Sequence, residues 1–367
     1  MFEAQVHTVP LASPEDVGAV EGLFDAGIVD PAHVVAIMAQ TEGDSYVRGY
    51  STLALQRLFA RRLNLSLGEL SERIPMLMIA GTAGLMSPHA TLFVNKPVTG
   101  KAGNCVARLA VGVASTRPLL PEEYGTTTQV GLVADSVRAA MKAAGIEDAQ
   151  DVVSVEMKCP QMTPQRMDEA TARGRTVVSL TPAVASSMSR GAAALGAAVA
   201  LGEIPAGEIS DSVIGRRPDL YTTRGSATAG NDQVAVRVVV IGNVPGAPGG
   251  YVAAHSVMEH QLDVLGARAA FKAAGLRLED GILVPEDRAK VAAVFVNAGA
   301  DYLPHCLGRR HTMRSDVLAQ YSGHVAKAVA HANVSSIVQD TLVLGKAGAE
   351  HQGKPGSNLV CVIANHG

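Results

Sequence analysis

The sequence predicts an α+β protein of three similar domains set around a pseudo-threefold axis. Three observations lead there. A seven-residue phrase occurs twice, AAMKAAG at 139–145 and AAFKAAG at 269–275, with a weaker relative, LFDAG, ending at Gly27. Each is followed by a β-branched run: VVAIMAQ (34–40), VVSVEMK (152–158) and VAAVFVN (291–297). The run ends 13 residues after the glycine in the first two copies and 22 in the third, where RLEDGILVPED is the evident insertion. Repetition of this length marks one structural unit used several times.

The elements follow in order within each copy. Small and apolar residues at helical spacing end on a glycine placed to cap a helix C-terminus. The β-branched run that follows reads as a buried strand. A second helix comes next: RGYSTLALQRLFARRL from Arg48, RGAAALGAAVALGEI from Arg190 and HVAKAVAHAN from His324. A glycine-rich turn closes it, IAGTAG (79–84), SATAG (226–230) or KAGAEHQG (346–353). A last strand ends the unit: ATLFV (90–94), VAVRVVVIG (234–242) or NLVCVIA (358–364). Stretches near 98–126 and 243–255, rich in Gly, Pro or Thr, read as linkers. The domains are therefore expected at 1–104, 105–248 and 249–367.

Composition excludes several classes of function. Hydrophobic residues make up 47% and charged residues 18%, enough apolar material for a packed core. A net charge of −3, 4% aromatics and no Trp argue against a nucleic-acid partner. No apolar run is long enough to span a membrane, and the N-terminus lacks a signal-peptide pattern, so a cytoplasmic protein is expected. The four cysteines, Cys105, Cys159, Cys306 and Cys361, form no CxxC pair and are expected as reduced thiols. GAEHQGK (348–354) has phosphate-loop spacing, but Pro355 replaces the hydroxyl residue that would hold magnesium. GRRHTMRSD (308–316) reads as a solvated basic loop. His311, His324 and His351 lack metal-ligand spacing.

Threefold packing would bring equivalent positions together as Gln40/Lys158/Asn297, Arg48/Arg190/His324 and Ile79/Ser226/Lys346. Only the middle copy joins a lysine to a serine. A hydroxyl becomes a nucleophile when a base takes its proton, and a lysine serves when burial or a neighbouring cation keeps it neutral. Lys158 ends an apolar strand, with Arg190 as its expected cationic neighbour. Backbone N–H groups of Ala227, and of Ala80 and Ala347 in the other turns, are candidate oxyanion donors. Arg48 and Arg190 offer forks for ring carbonyls.

These residues sit in motifs that resemble the cyanuric acid hydrolase and barbiturase family, the ring-opening amidohydrolases. The motifs are TEG (41–43), GTAGLMSPHATLFV (81–94), MKCP (157–160), SRGAAALGAAVALGE (189–203), GRRHTM (308–313) and GAEHQGKPG (348–356). The resemblance covers nearly the whole chain. It implies three domains, each similar to the small enamine-deaminase (YjgF-like) fold, a Ser–Lys pair in each, only one of them hydrolytic, and a homotetramer. By resemblance, Lys158 and Ser226 are the catalytic pair and Arg48 and Arg190 bind substrate.

The chain departs from that pattern elsewhere. Gln40 and Ile79 stand for the first Lys and Ser; Asn297, Lys346 and His324 stand for the third Lys, Ser and Arg. A metal-site carboxylate of the family appears as Gly299, so no metal and no cofactor are expected. Three unlike edges suit a ring that is not threefold symmetric. The expected substrate is a cyclic amide or imide other than cyanuric acid, pyrimidine-like or carboxylate-bearing. The alternative is a ligand-binding protein without hydrolytic activity on the same scaffold.

Overall fold

The computed structural model describes residues 2–99, 106–299, 303–317 and 319–367; Cys105 lies outside them. The first stretch contains β1 (Phe2–Pro10), α1 (Gly18–Asp25), β2 (Val34–Gln40), α2 (Ser45–Leu63), α3 (Leu67–Arg73), β3 (Met76–Ile79) and β4 (His89–Pro97). The second contains β5 (Ala107–Ser115), α4 (Thr127–Ala144), β6 (Val152–Pro160), α5 (Pro164–Ala172), α6 (Pro182–Ala200), β7 (Gly225–Gly230) and β8 (Arg237–Pro245). The third runs β9 (Tyr251–Met258), α7 (Val264–Ala273), the small hairpin β10 (Leu278–Glu279) and β11 (Ile282–Leu283), α8 (Pro285–Arg288) and β12 (Val291–Ala298). It continues with a second hairpin, β13 (His305–Cys306) and β14 (Arg309–Arg310), then α9 (Ser322–Val338), β15 (Val343–Ala347) and β16 (Asn358–Asn365).

Each stretch forms one four-stranded sheet, and the three share a single topology: β1-β4-β2-β3, β5-β8-β6-β7 and β9-β16-β12-β15. In each, the third and fourth strands in that order run parallel and the other neighbours antiparallel. The register repeats down to its irregularity. A bulge falls one residue after Val34, Val152 and Val291, between strand pairs that otherwise match. Counting from the bulge, Gln40, Lys158 and Asn297 occupy one position.

Alternation along the strands explains the layers. On one face Val155, Met157 and Cys159 join α4 and α6 in a core; Val294 and Val296 do the same with α7 and α9, and Ile37 and Ala39 with α1 and α2. The opposite faces meet in a central core that draws Ala36, Met38 and Leu77 from the first sheet, Val111, Val239 and Ile241 from the second, and Phe295, Leu344 and Ile363 from the third. The capping glycines behave as expected. Gly27, Gly145 and Gly275 all have left-handed φ, at 66°, 71° and 79°. The 277–287 insertion is the β10–β11 hairpin with most of α8.

Two expectations are corrected. The linkers read near 98–126 and 243–255 contain β5 and the first five residues of β9, so the second and third units begin with strands that the sequence pattern hid. β5 reads ARLAVGVAS, low in β-branched bulk, because α4 lies directly on it: a Cβ on Gly112 would sit 1.9 Å from the Ala140 carbonyl oxygen. The segment read as a turn at 226–230 is strand, β7, up to Gly230.

Gly145→Ala should cost about 1–2 kcal/mol, the penalty of a left-handed alanine, seen as a lower denaturant midpoint with unchanged circular dichroism. An unchanged midpoint would show that the cap is not required.

Candidate active site

The polar residues gather where the parallel strands of each sheet end. Gln40 pairs with Ile79, Lys158 with Thr228 and Asn297 with Lys346. The middle member of the third triplet is therefore Thr228, not Ser226. Ser226 stands two residues earlier, opposite Glu156, at the level of Met38/Leu77 and Phe295/Leu344 in the other sheets. The two-residue slip follows from reading β7 as a turn. The residue after each ladder position is Ala80, Ala229 or Ala347; the fourth is Ala83, Asp232 or Glu350.

Lys158 is 1% exposed. Its ammonium leaves its own sheet and donates to the Met78 carbonyl at the end of β3; it makes no hydrogen bond to Ser226. The hydroxyls of Ser226 and Thr228 are both buried without a hydrogen-bond partner among the described residues. Burial pushes the Lys158 amine down to about 8, with Asp232 pulling it back up and Arg48 and Lys327 pushing further down. The neighbouring cation is thus Arg48 rather than the expected Arg190.

The other two strand-end residues are ties. Gln40 donates to the carbonyls of Ile79 (3.3 Å) and Gly81 (3.2 Å) and accepts from the Gly345 N–H (3.1 Å). Asn297 donates to the Gly348 carbonyl (3.0 Å) and lies 3.4 Å from the Gln352 side-chain oxygen, which accepts the Ala227 N–H at 2.7 Å. Gln40 thus reaches β15, Lys158 reaches β3, and Asn297 reaches β7 through Gln352, which closes a ring of the three sheets. The Ala227 N–H, expected as an oxyanion donor, is taken by Gln352 in this ring. Ile79 lies in the central apolar core.

The second helices close the same ring from outside. Arg48 on α2 donates to Asn231 (2.8 Å) and lies 3.3 Å from Asp232 in the turn after β7. Its Nε is buried without a partner among the described residues. Arg190 on α6 makes a two-point contact with Glu350 in the turn after β15, and Ser187 donates to the same carboxylate. Burial pushes Asp232 and Glu350 up, but the cations outweigh it and hold both below the ordinary carboxylate range. On α9, His324 packs against Gly81, and Lys327 donates to the carbonyls of Gly81 and Ala80, the latter at 3.2 Å. Burial pushes Lys327 down to about 8. Lys327 was missed in the sequence; the signal was a lysine one helical turn after His324, flanked by the apolar VA and AVA.

Lys346 forms a buried ion pair with Glu156 across the second and third sheets, beside Ser226 and Asn297. Gly299 offers no room for a metal-binding carboxylate, since a Cβ there would lie 2.6 Å from the Ser357 carbonyl oxygen. The residues present do not fit the family's metal site. His351 packs on α6 and accepts from the Gly215 N–H, at a different seam from His324.

A family profile described as "Amidohydrolase ring-opening protein" matches residues 5–365. The chain belongs to the ring-opening amidohydrolase family. A cyanuric acid amidohydrolase of Enterobacter cloacae is 39% identical over 99% of this chain and 99% of its own. A cyclic amide hydrolase of a Rhodococcus species is 38% identical over 96% of this chain and 100% of its own. A solved cyanuric acid hydrolase structure superposes with a TM-score of 0.93 at 35% identity, over the full length of both chains. The mixed α+β fold with three small sheets is that of this family member.

Removing one partner of a buried ion pair leaves the other charge stranded. Lys346→Met should destabilise the protein by about 3–5 kcal/mol, and the Glu156→Met/Lys346→Met double variant should recover most of the loss. Denaturant unfolding of the three proteins checks this; a double variant as weak as the single would contradict it.

Proposed function

We propose that this member of the family opens a cyclic amide or imide ring, with Lys158 as the base and the Thr228 hydroxyl as the nucleophile. The observation that carries the reading is the ladder pair itself: a buried amine pushed toward neutrality stands opposite a buried hydroxyl that, among the described residues, has no hydrogen-bond partner. Neutral Lys158 keeps one N–H on Met78 and turns its lone pair to the hydroxyl proton. The Thr228 oxygen bonds to the ring carbonyl carbon, and the proton passes to Lys158. The ring C–N bond breaks as Lys158 returns that proton to the departing nitrogen. Water, deprotonated by Lys158, then cleaves the ester and restores the Thr228 hydroxyl. The product is an open chain that ends in a carboxylate.

Arg48 is proposed to hold a ring carbonyl through its unpartnered Nε–H. Arg190 is proposed to position the turn after β15, since Glu350 takes its fork. The stretches 1–104, 105–248 and 249–367 are proposed as three domains about one axis, which the closed ring of contacts supports. Kinship supports ring-opening hydrolysis over a purely ligand-binding role. The apolar Ile79 supports a ring other than cyanuric acid, because a carbonyl facing it is left unpaired at a cost of about 1–3 kcal/mol. Tyr46, Tyr50 and Leu53 are exposed on one face of α2 and support assembly of copies, a homotetramer by family resemblance.

Thr228→Ala and Lys158→Met should each lower kcat for ring opening by about a thousandfold or more, with the double variant hardly worse than either, because the two act as a unit. Ser226→Ala should stay within a few-fold of wild type. Activity should rise with pH through about 8, as Lys158 loses its proton, and fall about tenfold per unit below that. Loss of activity in Ser226→Ala with retention in Thr228→Ala would move the nucleophile to Ser226.

A second expectation concerns substrate choice. In a panel of cyclic imides, lactams and pyrimidinediones, cyanuric acid should show a kcat/KM about tenfold or more below the best ring, the discrimination one unpaired carbonyl supplies. Cyanuric acid as the best substrate would refute the role given to Ile79.

A further inference from the structure

The three seams between a turn and its neighbouring helix can be compared position by position, because they are copies. Four residues after the ladder position, the second repeat has Asp232 and the third has Glu350. Each faces an arginine across its seam, Arg48 and Arg190 respectively. The first repeat has Ala83 at that position. Its seam still carries basic side chains: His324 lies against Gly81, and Lys327, 3% exposed, donates to two turn carbonyls. Carbonyl oxygens solvate an ammonium but do not neutralise it.

The same point emerges from the charges around the site. Arg48 pairs with Asp232, Arg190 with Glu350 and Lys346 with Glu156. Two buried cations remain, Lys158 and Lys327, and among the described residues neither has a carboxylate within ion-pair distance. Lys158 is the base and works neutral. Lys327 has no such task, and a buried ammonium without a counter-ion is unfavourable. The two amines reach the same strand end: Lys158 to Met78, Lys327 to Ala80 and Gly81.

We propose that the seam between the turn at 80–84 and α9 is an anion site of the active centre, and that the ring substrate binds with a negative charge against Lys327. The charge is a carboxylate carried by the ring or the ring's own ionised imide. Ile79, whose side chain lies in the central apolar core, immediately precedes that turn. This inference rests on the hydrolase reading and deepens it by naming the substrate class.

The test is binding, by titration calorimetry at neutral pH, of matched rings that differ in charge. 5-Oxoproline against 2-pyrrolidinone, and hydantoin-5-acetate against hydantoin, test the carboxylate; barbiturate against uracil tests the ionised ring. Wild type should bind the anionic member of at least one pair about tenfold or more tightly, the worth of one charge-assisted contact. Lys327→Met should abolish that preference and leave the neutral ring within about twofold. Ala83→Glu installs the carboxylate that the other seams have and should abolish it too, without removing the amine; it carries the test if Lys327→Met does not fold. Equal binding of charged and neutral rings, binding of neither, or variants that weaken both alike would overturn the proposal. If anionic rings bind through Lys327 but none is opened, the hydrolase reading fails and the anion site stands. If rings are opened without preference for charge, the reverse holds.

Discussion

Lys158 leaves its own sheet to reach a carbonyl on another, and the surrounding architecture follows from the need to bury that amine. A lysine so placed is 1% exposed and, among the described residues, has no direct counter-ion, and burial lowers its proton affinity toward the working range of a base. The amine stays in place because the Met78 carbonyl, next to the end of β3, accepts its hydrogen bond, which requires the first two sheets to hold a fixed position against each other. The closed ring of ties among Gln40, Lys158 and Asn297 holds that position.

Repetition of the unit and divergence of its copies do different work. The sheets, their bulges and their capping glycines are kept alike, since each packs the same faces against the same neighbours. The residues at the strand ends have become unlike. Two are amides that spend their hydrogen bonds on the backbone and, for Asn297, on Gln352, which stiffens the ring. One is an amine, and only its strand partner is a hydroxyl. On the proposed reading the chemistry is confined to one copy, while the other two serve as its support and as walls of different polarity. Glu156 and Lys346 extend this asymmetry into the central core, where the first sheet has Met38 and Ile79.

Much of this was legible in the sequence. The strands VVAIMAQ, VVSVEMK and VAAVFVN are β-branched, and their starts coincide with those of β2, β6 and β12, while β6 runs two residues further, to Pro160, and β12 one, to Ala298. The glycines after the first helices announced left-handed caps. What stayed hidden has physical causes. β5 is low in β-branched residues because a helix rests directly on it. β7, GSATAG, has the small residues of a turn but runs as a strand beside β6, and that moved the hydroxyl assignment from Thr228 to Ser226. The pairing of Arg48 with the second repeat and of Lys327 with the first depends on contacts between repeats, which spacing along the chain does not encode.

The central claim is that the hydroxyl opposite Lys158 becomes acylated. Rapid acid quench of the enzyme with the ring it opens fastest, followed by peptide mass mapping, tests it directly. The account predicts an adduct with the mass of the intact ring on Thr228, absent from the Lys158→Met protein. An adduct on Ser226, or full turnover with no adduct on the 225–233 peptide, would contradict it.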